Sequence, residues 1–217
     1  MESQSVENYL KTIYLLDQQG TEKVSATALA STLGVNPPSI IDMLKKLRGK
    51  KFIRYDKSSG VKLTSSGAKA ALLTVRKHRL WEMFLQMKLG YAWDEVHDIA
   101  EQLEHVQEKT LADRLADFLG DPDFDPHGEP IPSTNGTLPD ISQKMLSEIN
   151  DGEVCRVASV KDTSKSFLQY LLRLNIGIGT TIKLLDRIEF DDSLNILIDS
   201  RHKATVSKKF AESLFVS

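Results

Sequence analysis

The chain has 217 residues, 41% hydrophobic and 27% charged, the balance of a globular protein with enough apolar mass for one domain or a few small ones. No apolar run approaches the roughly 20 residues needed to cross a bilayer, and the polar start MESQSVEN has neither the charged nor the apolar region of a secretory signal, so no membrane role and a cytoplasmic location are expected. The net charge of −2 hides a segregation: residues 1–75 carry 11 Lys and Arg against 6 Asp and Glu, residues 76–151 carry 7 against 16, and residues 152–217 carry 10 against 8. A basic head suits phosphate and an acidic middle suits cations, although ordinary surface solvation gives charge runs too. The lone cysteine, Cys155, has no partner for an internal disulfide and reads as a small core residue in a strand.

From Val6 to Leu16 the residues Val6, Tyr9, Leu10, Ile13, Tyr14 and Leu16 recur at helical spacing, and Gly20 closes the pattern. Ser25 caps a short second helix through Ala28, Leu29 and Leu33 that stops at Gly34. A third helix starts after Asn36, an N-cap followed by Pro37, whose missing N–H costs nothing in a first turn; Ile40, Ile41, Leu44 and Leu47 give it a buried face. Two helices joined by a tight, Gly-containing turn have helix-turn-helix spacing. Phe52–Tyr55 and Val61–Leu63 read as strands around the hairpin loop Asp56-Lys57-Ser58-Ser59-Gly60, which makes a wing. Thr64 caps a long helix through Ala68, Leu72, Val75, Trp81 and Phe84 to about Leu89, stopped by Gly90; Asp94 caps the next, from Glu95 to about Gln107, and Leu111–Leu119 is a further amphipathic segment.

Residues 120–140 hold five of the seven prolines and three of the twelve glycines, so they form neither helix nor central strand and are expected to connect domains. Beyond them, strand character at Glu153–Val160, Thr181–Ile188, Leu194–Ile198 and Ala204–Val206, with helical segments at Ser166–Leu174 and Ser207–Leu214, predicts a small β-rich domain.

The third helix and the wing carry Lys45, Lys46, Arg48, Lys50, Lys51, Arg54, Lys57 and Lys62 against only Asp42 and Asp56. In helix-turn-helix proteins the start of the motif's second helix reads base edges while nearby cations hold the backbone, which puts Asn36, Pro38, Ser39 and Asp42 at a DNA groove with Lys45, Lys46 and Arg48 beside them. Further along, spacings of four, three and four residues put His97, Glu101, Glu104 and His105 on one predicted helical face, and His78 and Glu82 are likewise four apart on the helix before it. Imidazole nitrogen and carboxylate oxygen ligate first-row divalent ions, and the absence of a thiolate shifts preference from zinc toward Mn2+ or Fe2+; six such residues suffice for two neighbouring sites. Two other readings stand beside this one. In the first, the stripe is structural, an acidic face paired with Lys and Arg; in the second, it belongs to a metal hydrolase with Glu82 or Glu108 as base. The second lacks HExxH spacing and a nucleophile constellation, so no enzyme is expected. His127, beside Gly128, reads as a loop contact.

Four motifs carry a resemblance: ENYLKTIYLL from Glu7 to Leu16, KHRLWEMFL from Lys77 to Leu85, EVHDIAEQLEH from Glu95 to His105, and DPHGEPIP from Asp125 to Pro132. With them the chain resembles, over essentially its whole length, the diphtheria-toxin-repressor family of metalloregulators, which includes iron-dependent repressors and manganese transport regulators. The resemblance implies an α+β multidomain protein: a winged helix-turn-helix DNA-binding domain over residues 1–72, a helical metal-binding and dimerisation domain with its Pro-rich linker over 73–140, and a C-terminal SH3-like (FeoA-like) β-barrel domain over 141–217. It further implies that His78, Glu82 and His97 form an ancillary metal site and Glu101, Glu104 and His105 a primary one, giving two sites per subunit.

Glu101 stands where iron-type members have cysteine and manganese-type members glutamate. Asn8 stands where they have methionine or aspartate, as an amide ligand, and Lys11 where a short manganese regulator supplies a second glutamate. Near the third domain's helix, Thr163 and Ser166 replace a carboxylate and an amide, with Asp162 close by. The expected function is a homodimeric transcriptional repressor that binds palindromic operators of metal-uptake and homeostasis genes when loaded with Mn2+ or Fe2+.

Overall fold

A computed structural model describes residues 2–18, 23–56, 58–139 and 141–217; the predicted helix stop Gly20, the wing cation Lys57 and the linker residue Asp140 lie outside the described residues. The chain divides into two compact units, one of Met1–Trp81, Ala100–Asp121 and Ile131–Leu138, the other of Glu82–Ile99, Pro122–Pro130 and Pro139–Ser217.

In the first unit, helix α1 (Gln4–Gln18) buries Val6, Tyr9, Leu10 and Ile13, the apolar positions at helical spacing. Helix α2 (Ala26–Leu33) begins at Ser25, whose hydroxyl accepts from the Ala28 amide at 3.0 Å, and α3 (Pro37–Gly49) begins at Asn36, whose Oδ1 accepts from the Ser39 amide at 3.1 Å. Ile40, Leu44 and Leu47 turn the buried face of α3 onto α1 and α2, while Ile41 is exposed. Strands β1 (Ile53–Asp56) and β2 (Gly60–Leu63) form the expected antiparallel hairpin, and Val24 bridges onto Val61. Asp56 closes the hairpin loop by accepting from the Ser58 hydroxyl and from the amides of Ser58 and Ser59, which hold its carboxyl below the usual carboxylate range. Helix α4 (Ser65–Leu89) follows, with Thr64 Oγ1 accepting from the Gly67 amide at 3.1 Å. A Cβ at Gly67 would lie 2.0 Å from the Phe52 carbonyl oxygen, so only glycine lets this first turn sit against the wing.

Helix α5 is shorter than the spacing predicts, Val96–Leu103 rather than Glu95 to Gln107. The Glu104 amide still reaches the Ala100 carbonyl at 2.9 Å, but the next bond, Val106 N to Leu103 O, closes a tight turn, so Glu104 and His105 leave the helical face they were expected to share with His97. The cause is tertiary: Glu104 is fully buried and His105 nearly so, each holding side-chain partners on other helices, and such contacts override a helical pattern. Helix α6 (Leu111–Leu119) ends at Gly120 as expected. Arg76 of α4 donates from Nη1 to the Pro132 carbonyl at 2.9 Å, anchoring Ile131–Leu138 within this unit.

The second unit is built on a six-stranded antiparallel sheet in the order β3 (Lys144–Met145), β8 (Leu214–Val216), β4 (Val154–Val160), β5 (Thr181–Arg187), β6 (Leu194–Ile198), β7 (His202–Val206). Register shifts between Val157 and Ser159 and between Leu184 and Asp186 bend it. Helix α7 (Lys165–Arg173) starts at Ser164, and its Leu168 and Leu171 join Val157, Ile182, Leu184, Leu194 and Ile196 in the core. The predicted helix at Ser207–Leu214 shrinks to the four residues of α8 (Lys208–Ala211), because Leu214 and Val216 alternate inward and pair with β3 and β4 as a strand. Within the described residues, no helix is long and apolar enough to cross a membrane.

Candidate metal centre

In the first unit a buried polar cluster gathers around Glu104, which is 0% exposed. Its Oε2 lies 2.6 Å from His78 Nδ1 on α4 and accepts from the Lys11 ammonium on α1 at 2.6 Å. The same ammonium donates to Glu101 Oε1 on α5 at 2.5 Å and stands 3.2 Å from His78 Nδ1. The other half of the carboxylate is different. Glu104 Oε1 lies 3.5 Å from His105 Nε2, and both atoms are buried with no hydrogen-bond partner, as is Asn8 Oδ1 on α1.

His105 pairs through Nδ1 with Glu7 Oε2 at 2.8 Å, and Glu7 also accepts from Lys77 at 3.2 Å. With Nδ1 donating to Glu7, Nε2 carries the ring's lone pair toward a carboxylate oxygen. Two electron-rich atoms left facing each other in a buried place are costly unless a cation lies between them. An amide oxygen, a carboxylate oxygen and an imidazole nitrogen are donors that Mn2+ and Fe2+ accept, so the residues present fit a divalent ion.

The second unit holds a separate group. Glu82, Asp125 and His127, exposed by 2%, 5% and 1%, each offer one ligand atom, all within 4.8 Å of one another. His127 Nε2 hydrogen-bonds the Trp93 carbonyl at 2.9 Å and its Nδ1 lies 3.6 Å from Glu82 Oε2. Burial by itself depresses the His127 pKa, but the Glu82 carboxylate, Asp125 and the Trp93 carbonyl outweigh it and raise it to about 9. Without a metal, therefore, a proton supplies the positive charge this pocket requires. Asp125 Oδ1 accepts from the amides of His127 and Glu129 at 2.8 and 2.9 Å, fixing the DPHG turn, and His97 Nδ1 lies 3.3 Å from Glu82 Oε1.

Of the expected ligands, then, the first unit gathers His78, Glu101, Glu104 and His105, with Asn8 on the adjoining helix, and the second places Glu82 beside His97. Glu7 carries no local signal beyond its place beside Asn8, and Asp125 none beyond the DPHGEPIP motif, whereas His127, expected as a loop contact in that motif, offers a ligand atom beside Glu82 and Asp125. Asp162 uses Oδ1 to accept from the Ser164 amide at the start of α7.

The residues expected at a DNA groove lie on α3 or just before it. Asn36, Pro38, Ser39, Asp42, Lys45, Lys46 and Arg48 are all exposed along one side of α3, opposite its buried stripe. Asn36 is occupied as a cap, with its Oδ1 also accepting from the Ser39 hydroxyl at 2.7 Å, and Asp42 pairs with Lys45 at 3.1 Å.

Three family models match: the iron-dependent repressor N-terminal DNA-binding domain over residues 1–61, the iron-dependent repressor metal-binding and dimerisation domain over 64–133, and the FeoA domain over 144–217. The chain is 33% identical over 140 residues to the iron-dependent repressor IdeR of Mycobacterium leprae, a match covering 64% of this chain and 60% of that protein, so it spans less than two thirds of that relative's length. It is 34% identical over 120 residues to the transcriptional regulator MntR of Oceanobacillus iheyensis, covering 55% of this chain and 80% of that one. Among solved structures, a manganese-dependent transcriptional repressor in complex with manganese superposes with a TM-score of 0.90 at 35% identity, over 98% of this chain and 99% of the other. The expected three-part fold, a DNA-binding head, a helical metal-binding and dimerisation part and a FeoA-type β-domain, is the one observed. On these matches, and on a fold and donor set that agree with them, the chain belongs to the diphtheria toxin repressor and manganese transport regulator family of metal-dependent repressors.

Proposed function

We propose that this chain is a homodimeric transcriptional repressor that binds palindromic operators of metal-uptake and homeostasis genes when loaded with Mn2+ or Fe2+. We assign DNA binding to residues 1–72, metal binding and dimerisation to 73–140, and the SH3-like domain to 141–217. The observation that carries the reading is the set of buried donor atoms without hydrogen-bond partners, Asn8 Oδ1, Glu104 Oε1 and His105 Nε2. The resemblance implies His78, Glu82 and His97 for a second ion; the buried Glu82, Asp125 and His127, whose ligand atoms lie within 4.8 Å of one another, support instead a second group around Glu82 and thus two ions per chain. Bound at these donors, a divalent cation supplies the charge that neutralises the carboxylates and joins them to imidazole. Oxygen and nitrogen donors without thiolate favour manganese and iron over zinc.

The placement of the donors supports a coupling of occupancy to DNA binding. Asn8 lies on α1, which packs against α2 and α3 in one core, whereas Glu104 and His105 follow α5. A ligand set drawn from both couples the placement of α1 to the filling of the site. If the DNA-competent arrangement holds metal about 100-fold tighter, the bias is about 2.7 kcal/mol per site. The test is an anaerobic operator-binding titration with Mn2+, Fe2+ and Zn2+ against a chelator control. Tighter binding with Mn2+ or Fe2+ than with chelator is expected; equal binding under all conditions overturns the reading.

A further inference from the structure

We propose that the Lys11 ammonium is a tethered cation that permanently fills one side of the Glu104 carboxylate, leaving only the other side for a metal ion. Lys11 is 6% exposed, a position in which an ammonium persists only when paired. Its partners are Glu101 Oε1 at 2.5 Å and Glu104 Oε2 at 2.6 Å, with His78 Nδ1 at 3.2 Å. Imidazole nitrogen and two carboxylate oxygens are a ligand set for a first-row divalent ion. A divalent ion bound to them would need bonds of about 2.0–2.2 Å, so it and the ammonium exclude each other.

Charge supports the same division. Glu7, Glu101 and Glu104 contribute three negative charges and Lys11 and Lys77 two positive ones, a net of −1 that a single divalent ion turns to +1. A second ion in place of Lys11 would restore a +2 charge where the fold now supplies +1. The lysine also joins three helices without any metal: it stands on α1, its partner Glu101 on α5 and its neighbour His78 on α4. Glu101 is by this account a lysine partner, and metal binding at Asn8, Glu104 and His105 proceeds beside an arm already in place.

The inference uses the metal-dependent reading only in choosing Mn2+ as probe; ion counting and metal-free stability do not involve DNA. The full-length chain and its Lys11→Met and Lys11→Arg variants are compared by Mn2+ equilibrium dialysis and by thermal unfolding in chelator. Lys11→Met is expected to bind one more Mn2+ per chain than wild type, and its metal-free Tm is expected to fall by about 5–10 °C and to be restored by Mn2+. Lys11→Arg, which keeps the charge, is expected to bind the wild-type number. An unchanged count in Lys11→Met overturns the proposal.

Should Lys11→Met not fold, the wild type decides the matter through lysine acetylation read by mass spectrometry. Lys11 is expected to stay unmodified both in chelator and in saturating Mn2+. Modification appearing on Mn2+ addition means the ion displaces the ammonium, and the proposal fails. Unchanged operator binding in the function test, with one extra ion in Lys11→Met, sinks the repressor reading and leaves this one standing.

Discussion

Glu104 presents two oxygens to two different surroundings, one to His78 and Lys11 and one to His105, and the second is where the chain's own donors leave charge unanswered. Glu7 decides which nitrogen of His105 faces it, since a carboxylate on Nδ1 fixes the ring's orientation and tautomer. Glu7→Gln is therefore expected to weaken Mn2+ binding about 10–100-fold while the chain stays folded. An isothermal titration checks this, and an affinity equal to wild type would remove Glu7 from the account. Cys155 is the opposite case. Burial, then nearby Glu153, pushes its thiol up to about 11, and its Sγ contacts the Ile182 carbonyl at 3.4 Å. Native protein at pH 8 is expected to react with a disulfide reagent far more slowly than urea-unfolded protein; equal rates would show the strand opening readily.

At the scale of elements, Gly128 is the joint on which the second donor group depends. Its φ is +78°, and a Cβ there would lie 2.0 Å from the Ala158 carbonyl, while the adjacent His127 carbonyl accepts from the Val160 amide at 3.0 Å. Gly128→Ala is expected to cost about 2–4 kcal/mol in urea unfolding, against a few tenths for a surface substitution. The elements set by local chemistry were legible in the sequence. Ser25, Asn36 and Thr64 cap α2, α3 and α4 as read, and α6 spans the residues its pattern marks. What failed to show locally is what distant residues impose. Glu104 and His105 leave the helix because they are needed by His78, Lys11 and Glu7, and Leu214–Val216 becomes a strand because β3 and β4 are there to pair with it. The site was likewise half legible: spacing marked His78, Glu82, His97, Glu101, Glu104 and His105, but not Glu7, nor that Lys11 would sit among them or that a proline-rich stretch would bury Asp125 and His127.

For the molecule as a whole, the charge segregation along the chain has a physical meaning. The basic excess falls in the segment whose exposed α3 carries Lys45, Lys46 and Arg48, and the acidic excess in the segment that holds the buried carboxylates. Cation binding by one part and phosphate binding by another have to be linked for a repressor to sense metal, and that linkage is the central claim. It is tested most directly by operator affinity with and without Mn2+, measured by fluorescence anisotropy for wild type and for the Glu104→Ala/His105→Ala double variant. The account predicts roughly 100-fold tighter binding with Mn2+ for wild type and a ratio near one for the variant, whose metal-free affinity matches that of wild type. A variant that keeps the full Mn2+ response would contradict it.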